Sequence, residues 1–301
     1  MRTVYLGTSE FAVDVLERLA ATPHRPVLVV TRPDRPRGRG RKLQAPPVAD
    51  RAALLGIPVI QPESVNSEEA RTAIAAAQPE TLLICAYGAL VKEPLLSEHE
   101  LLNVHPSLLP RWRGAAPVER AIEAGDEETG VTIMRPTADL DAGPIALQRA
   151  EPIHSDDDYG SLAPRLAALG GELLVEAVDG RPAFREQPDQ GVTYAGKIEP
   201  EDRLLDPALR ADELERKVRA LTPHVGAYVE LGDGERLGVR RANLAAGVDD
   251  VAPGTLAVRD SRLLYGAAHG ALELSEVQPA GKRPMDVAAW LRGRGGSPGN
   301  G

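Results

Sequence analysis

Four short apolar runs, at residues 4–6, 26–30, 81–85 and 101–104, restrict most what this chain can fold into. Each is too short for a helix and too evenly apolar for a strand with one wet face. Each therefore reads as a strand of a sheet covered on both sides. Between the first two lies a helical stretch at 11–20 with Phe11, Val15 and Leu19 on one stripe. The turn Gly7-Thr8-Ser9-Glu10 leads into it and offers an N-cap candidate. Amphipathic stretches at 48–55 and 68–77, with a short strand at 58–60, continue the alternation. Strand, helix, strand in this rhythm predicts an α/β fold, a doubly wound, Rossmann-like and mostly parallel sheet. The first turn is no dinucleotide fingerprint, since only Gly7 stands where G-x-G-x-x-G requires three glycines. A nicotinamide cofactor is discounted on that ground.

After Asp141 a strand is expected at 145–153, followed by a helix capped by Ser155-Asp156-Asp157-Asp158 with Tyr159, Leu162, Leu166 and Leu169 among its apolar positions. Residues 180–191, rich in Pro, Gln and charge, read as a linker. Beyond them the pattern changes. One helix at 212–221, with Leu214, Val218 and Leu221 inward, precedes short alternating segments at 227–231, 237–244, 255–258, 262–265 and 272–277. Gly and Asp-Gly turns separate these, the pattern of a small β-barrel of the OB-like kind. The expected domains are 1–182, a linker at 183–204 and the barrel at 205–301, with a disordered Gly/Pro-rich tail from Gly293.

Composition serves mainly to exclude. No segment approaches the ~18 uninterrupted apolar residues of a membrane span. The start lacks a signal peptide's cleavage pattern, and a single cysteine, Cys85, rules out an internal disulfide. A reducing cytoplasm follows as the expected compartment. Cys85 has no basic neighbour in sequence to activate it, so buried packing is expected for it. The net charge of −9 argues against indiscriminate nucleic-acid binding. Its distribution is uneven, because residues from Leu205 onward hold thirteen acidic and thirteen basic side chains and are neutral. Against that background the stretch 32–42 stands out. Arg32, Arg35, Arg37, Arg39, Arg41 and Lys42 face only Asp34, on a segment whose Pro and Gly are expected to prevent regular structure. So dense a positive loop on an acidic chain is an electrostatic hook for phosphates.

The chemistry is concentrated in Asn103-Val104-His105-Pro106-Ser107-Leu108-Leu109-Pro110-Arg111-Trp112-Arg113-Gly114. On a strand Asn103 and His105 lie at i and i+2, hence on one face. Pro106 and Pro110 then force a stiff turn. A helix is expected from Pro117, with Val118, Ala121 and Ile122 inward and Gly125 as its stop, then a strand at 131–134. Its exit loop carries Asp139-Leu140-Asp141-Ala142-Gly143. If that strand runs parallel to its neighbour, both end on one sheet edge and Asp141 returns over His105. A carboxylate beside an imidazole stabilises the imidazolium and fixes its tautomer. Asn103, His105 and Asp141 then converge as a carbonyl-polarising, proton-moving group that needs no metal.

These two motifs and their separation resemble the folate-dependent formyltransferases. Arg111-Trp112-Arg113-Gly114-Ala115-Ala116-Pro117-Val118 narrows the resemblance to the branch acting on methionyl-tRNA. Phe11 after the first turn, Ala86-Tyr87-Gly88 and Thr193-Tyr194-Ala195 support it. The resemblance implies that 10-formyltetrahydrofolate is the formyl donor and that Asn103, His105 and Asp141 are catalytic. It implies a tetrahydrofolate site at Ser107, Leu108, Leu109, Pro110, Tyr87, Gly88 and Asp139. It also implies initiator methionyl-tRNA as acceptor, gripped by Arg35, Arg37, Arg39, Arg41 and Lys42, with Arg39 the matching arginine of the basic loop. The chain is expected to act as a monomer, away from membranes. Two competing readings are a formyltransferase for a small amine, either an amino sugar nucleotide or glycinamide ribonucleotide, and an RNA-binding protein on a catalytically dead scaffold.

Overall fold

The computed structural model describes residues 1–37, 40, 42–232 and 234–293. They fall into two compact units, Met1–Pro117 with Glu128–Pro152 and Ala163–Ala195, and Val118–Glu127 with Ile153–Leu162 and Gly196–Gly301. Among the described residues no helix is long and apolar enough to cross a membrane.

The first unit begins with strand β1 (Thr3–Gly7), helix α1 (Glu10–Ala20) and strand β2 (Leu28–Val30). A hairpin of β3 (Arg35–Arg37) and β4 (Lys42–Gln44) follows, then α2 (Pro47–Leu54), β5 (Val59–Ile60), α3 (Glu68–Ala76), β6 (Thr81–Cys85), α4 (Leu95–Glu98) and β7 (Glu100–His105). Along the chain there follow β8 (Arg113–Gly114), α5 (Pro117–Ala124, in the second unit from Val118), β9 (Glu128–Met134), β10 (Ile145–Pro152), α6 (Tyr159–Gly180, in the first unit from Ala163) and β11 (Tyr194–Ala195). The main sheet has the order β10-β9-β7-β6-β1-β2-β5. The pairs β7–β6, β6–β1, β1–β2 and β2–β5 are parallel. Val4, Leu6, Leu82 and Leu83 are wholly buried, as strands covered on both faces require. Phe11, Val15 and Leu19 form the buried stripe of α1. Ser9 occupies its N-cap but makes no side-chain cap bond. The chain leaves β1 toward β2 and β5, then returns to β6 and β7 on the other side. That reversal places a crevice at the carboxyl ends of β1 and β6.

Two expectations are corrected. The strand after α5 is not a parallel neighbour of β7. β9 runs antiparallel to it, with Asn103 opposite Met134 and His105 opposite Thr132. A parallel pair needs a crossover that carries the chain back along the sheet. From Val118 to Glu127 the connection between β7 and β9 belongs to the second unit, so no crossover helix of the first unit links the two strands. Asp141 therefore reaches the site by the loop that follows Met134, not by a shared strand end. The second correction concerns the basic segment. Its flanks do form regular structure, Arg35 pairing with Gln44, Pro36 with Leu43 and Arg37 with Lys42. In a two-stranded ribbon every strand is an edge, so Pro36 can sit where no N–H is demanded.

The second unit contains α7 (Ala211–Leu221), β12 (Ala227–Glu230), β13 (Arg236–Leu244), β14 (Leu256–Arg259), β15 (Arg262–Gly266), β16 (Ala271–Pro279), β17 (Met285–Asp286) and α8 (Val287–Gly293). The strands form one antiparallel sheet in the order β12-β13-β16-β15-β14, with β17 on β16. Register shifts between Val239 and Ala242 bend β13. Leu214, Val218 and Leu221 of α7 pack into the core with Val229, Leu237, Val239, Leu272 and Leu274. All five strands read from the sequence are present, whereas β17 and α8 carried no distinct signal. The tail from residue 294 lies outside the described residues.

Cys85 ends β6 fully buried, and burial pushes its thiol up to about 12. Because the folded value lies above the unfolded one, the stability tied to the neutral thiol is complete below about pH 9 and fades as pH climbs toward 12. Native protein at pH 8 is expected to alkylate at Cys85 at least about a hundredfold more slowly than urea-unfolded protein. Equal labelling rates would contradict the buried placement.

Candidate active site

The end of β7 sets the site. His105 is 4% exposed, and its Nε2 lies 2.9 Å from the Trp112 carbonyl oxygen. A carbonyl only accepts, so Nε2 carries a hydrogen. The other ring nitrogen, Nδ1, faces Asp141 Oδ2 at 3.7 Å. That is too long for a hydrogen bond and close enough for charges to act on each other. Asn103, on the same strand face, reaches only the thioether of Met134 among the described residues, with Nδ2 to Sδ at 3.8 Å. Thioether sulfur is a weak acceptor, so the amide keeps its donors for something else.

The turn after His105 is held from within. The Thr132 hydroxyl donates to the Ser107 carbonyl at 2.6 Å and accepts from the Leu109 N–H at 3.2 Å and from Gln148 Nε2 at 2.9 Å. One donor and two acceptor positions are thereby filled, all that a hydroxyl has. Ser107 Oγ donates to the Arg111 carbonyl at 2.6 Å. Trp112 takes a left-handed backbone with φ 65°, costly for a bulky residue. Its N–H donates to Thr193 Oγ1 at 2.9 Å, and the Arg113 N–H donates to the Thr193 carbonyl at 2.9 Å. β8 and β11 complete the hold as a parallel pair.

Asp141 is also left-handed, with φ 46°. Its Oδ2 accepts from the Gly114 N–H at 2.8 Å. Gln187 Nε2 donates to the carbonyls of Asp141 and Gly143, each at 2.8 Å. Gln187 Oε1 accepts from Arg113 Nε at 3.1 Å and Nη2 at 2.7 Å.

The structure thus brings Asn103, His105 and Asp141 together. Of the residues expected to line a folate site, Ser107 and Leu109 are buried, the latter packing with Met134 and Ile145, while Leu108 and Pro110 are partly open and Asp139 is exposed. Tyr87 and Gly88 line a separate cleft of about 400 Å³ with Thr8, Ser9, Arg32 and Arg35. The Tyr87 hydroxyl is buried there with no partner among the described residues. Arg35 Nη2 pairs with Glu63 Oε2 at 2.9 Å, and Lys42 is exposed. Arg39 and Arg41 lie outside the described residues. Sequence reasoning missed Gln187, the Gly114 N–H and the Trp112 carbonyl. Gln187 sits in a stretch that reads as a connector, and backbone groups leave no trace in side-chain identity.

An amide whose donors meet only a thioether, beside an imidazole faced by a carboxylate, can polarise a carbonyl oxygen and accept a proton from an attacking nitrogen. Among the described residues no group of three or more His, Cys, Asp or Glu stands ready to hold a metal. Fold and site together are those of an α/β enzyme equipped to polarise a carbonyl and move a proton. Residues 1–178 match the formyl transferase family and residues 197–295 its C-terminal domain. The chain belongs to the formyl transferase family. It is 44% identical over 300 residues to the methionyl-tRNA formyltransferase of Halorhodospira halophila, covering 97% of this chain and 96% of that one. It is 45% identical over 296 residues to the Pseudomonas paraeruginosa protein of the same name, covering 96% and 94%. The solved methionyl-tRNA formyltransferase of Clostridium thermocellum shares the fold with a TM-score of 0.59 at 15% identity, covering 82% of this chain and 95% of that one.

Gly114 has φ 126°, and a Cβ there would lie 2.5 Å from the Ala195 carbonyl oxygen. Gly114→Ala is expected to cost about 1–3 kcal/mol in urea unfolding. A variant of unchanged stability would contradict the tight β8–β11 contact.

Proposed function

We propose that the chain transfers the formyl group of 10-formyltetrahydrofolate to the α-amino group of methionine esterified to initiator tRNA, yielding N-formylmethionyl-tRNA for translation initiation. It does so as a monomer in the cytoplasm. The observation that carries this reading is Asp141 facing His105, with Asn103 on the same strand face, in a chain whose relatives match it over nearly its whole length.

The residues fit the group they would handle, because an N-formyl carbonyl offers an acceptor oxygen and the site offers donors. As an amine adds to such a carbonyl, negative charge gathers on oxygen and positive charge on nitrogen. The Asn103 amide donates to the oxygen, and the Nδ1–H of His105 does so with the ring protonated at both nitrogens, preorganised by burial. The Nε2–H of His105, committed to the Trp112 carbonyl, keeps the ring from rotating away. Asp141 balances the ring's charge and takes the proton from the attacking nitrogen, directly or through one water. That proton leaves with the departing donor nitrogen, so no net proton is consumed. Leu108, Pro110, Tyr87, Gly88 and Asp139, with the turn held by Ser107 and Leu109, form the folate side. Arg35, Arg37, Arg39, Arg41 and Lys42 engage phosphates of the tRNA.

The deciding experiment is a formyl-transfer assay comparing charged initiator tRNA, charged elongator tRNA and glycinamide ribonucleotide. Transfer confined to the initiator is expected. Transfer to the small amine would replace the acceptor, and silence with all three would favour the RNA-binding alternative. His105→Ala should lower kcat by at least about a thousandfold, a loss of both donor and ring anchor, with tRNA affinity retained; near-normal turnover would refute the mechanism. Lys42→Ala should raise the Kd for tRNA and flatten its log–log salt dependence by about 0.7–0.9. An unchanged slope would remove Lys42 from the phosphate contacts.

A further inference from the structure

His105 is oriented at Nε2 by the Trp112 carbonyl and faced at Nδ1 by Asp141, which is itself fixed by the Gly114 N–H. The residue between Trp112 and Gly114 is Arg113, and its guanidinium is bound to Gln187 Oε1. The same glutamine donates to the carbonyls of Asp141 and Gly143. One side chain therefore ties the strand that orients the ring to the loop that carries the carboxylate.

Only an amide meets both demands. Its oxygen faces a guanidinium, which only donates, and its nitrogen faces two carbonyls, which only accept. Turned over, it would set donor against donor and acceptor against acceptor, so the network fixes its orientation. Glutamate would keep the bond to Arg113 but oppose the two carbonyls with a charge. Methionine would keep the bulk and satisfy neither side. Asp141 adopts a left-handed backbone, which persists in a non-glycine residue when its surroundings over-determine it. The paired bonds from Gln187 across residues 141–143 supply that constraint, and no other side-chain donor reaches the Asp141 carbonyl among the described residues.

We propose that Gln187 is a positioning residue for formyl transfer, setting the place of the Asp141 carboxylate relative to His105 Nδ1 without touching either substrate. The proposal rests on the reading that His105 and Asp141 perform the transfer. Displacing a reacting group by about 1 Å can cost about a hundredfold in rate, and loss of the two carbonyl bonds frees the loop on that scale. The test uses Gln187→Glu and Gln187→Met in the full chain, with kcat, KM for charged initiator tRNA and for 10-formyltetrahydrofolate, and Tm. Both variants should lose roughly ten- to a hundredfold in kcat, with each KM changed less than about threefold.

A purely structural role would instead lower Tm and the active fraction while leaving the turnover of folded molecules at the parent value. A double-mutant cycle separates the two further. In an Asp141→Asn background Gln187→Met should add less than about a twofold loss, because Gln187 acts through Asp141. Parental kcat in both single variants, or a full additional loss in the Asp141→Asn background, would overturn the positioning role. Failure of the underlying reading would look different, since His105→Ala and Asp141→Asn would then keep near-parental turnover.

Discussion

The site depends on a single hydrogen bond, from His105 Nε2 to the carbonyl of Trp112. It decides which ring nitrogen is committed and which is left facing Asp141. To present that carbonyl the backbone at Trp112 enters the left-handed region, which a bulky side chain resists. The strain is offset locally. Thr193 accepts the Trp112 N–H and receives the next one on its own carbonyl, and β11 pairs with β8 beyond it. Asp141, the second strained residue, is restrained from two directions by Gly114 and Gln187. Strain beside reacting groups is a familiar use of backbone energy, because a conformation held by many bonds does not relax when a substrate arrives.

The sheet explains why this machinery sits where it does. Parallel strands β6 and β7 end at one edge, and the reversal of strand order beside β1 opens a crevice there. Asn103 and His105 ride on β7 into that edge. Thr132, directly opposite His105 on β9, braces the turn that follows. The antiparallel direction of β9 matters here. It brings a hydroxyl beside the turn, and it leaves the loop after Met134 free to fold back with the carboxylate.

Basic charge on an acidic chain follows a similar logic at larger scale. On the ribbon of β3 and β4, Arg35 and Lys42 are exposed, and Arg35 is paired with Glu63. Charge presented this way is screened by salt within about 8–10 Å under ordinary conditions.

The strands of the main sheet, five strands of the second unit, the stripe of α1, the inward face of α7 and the placing of Asn103 beside His105 were legible in the residues, because periodicities of two and 3.6 are local properties. The burial of Cys85 was legible in the lack of a basic neighbour in sequence. The direction of β9, the short ribbon inside a Pro- and Gly-rich segment, and the roles of Gln187, Thr193 and the Gly114 N–H were not. Strand direction depends on how a connection crosses a sheet, and a backbone donor acquires a role only when distant chain is laid against it. The sequence by itself determined which side chains could do chemistry and that two of them share one face. Tertiary structure alone decided which nitrogen of His105 is committed, how Asp141 comes to face the other, and that a glutamine some forty-six positions further along ties the two together, since each depends on contacts between segments that no local pattern encodes.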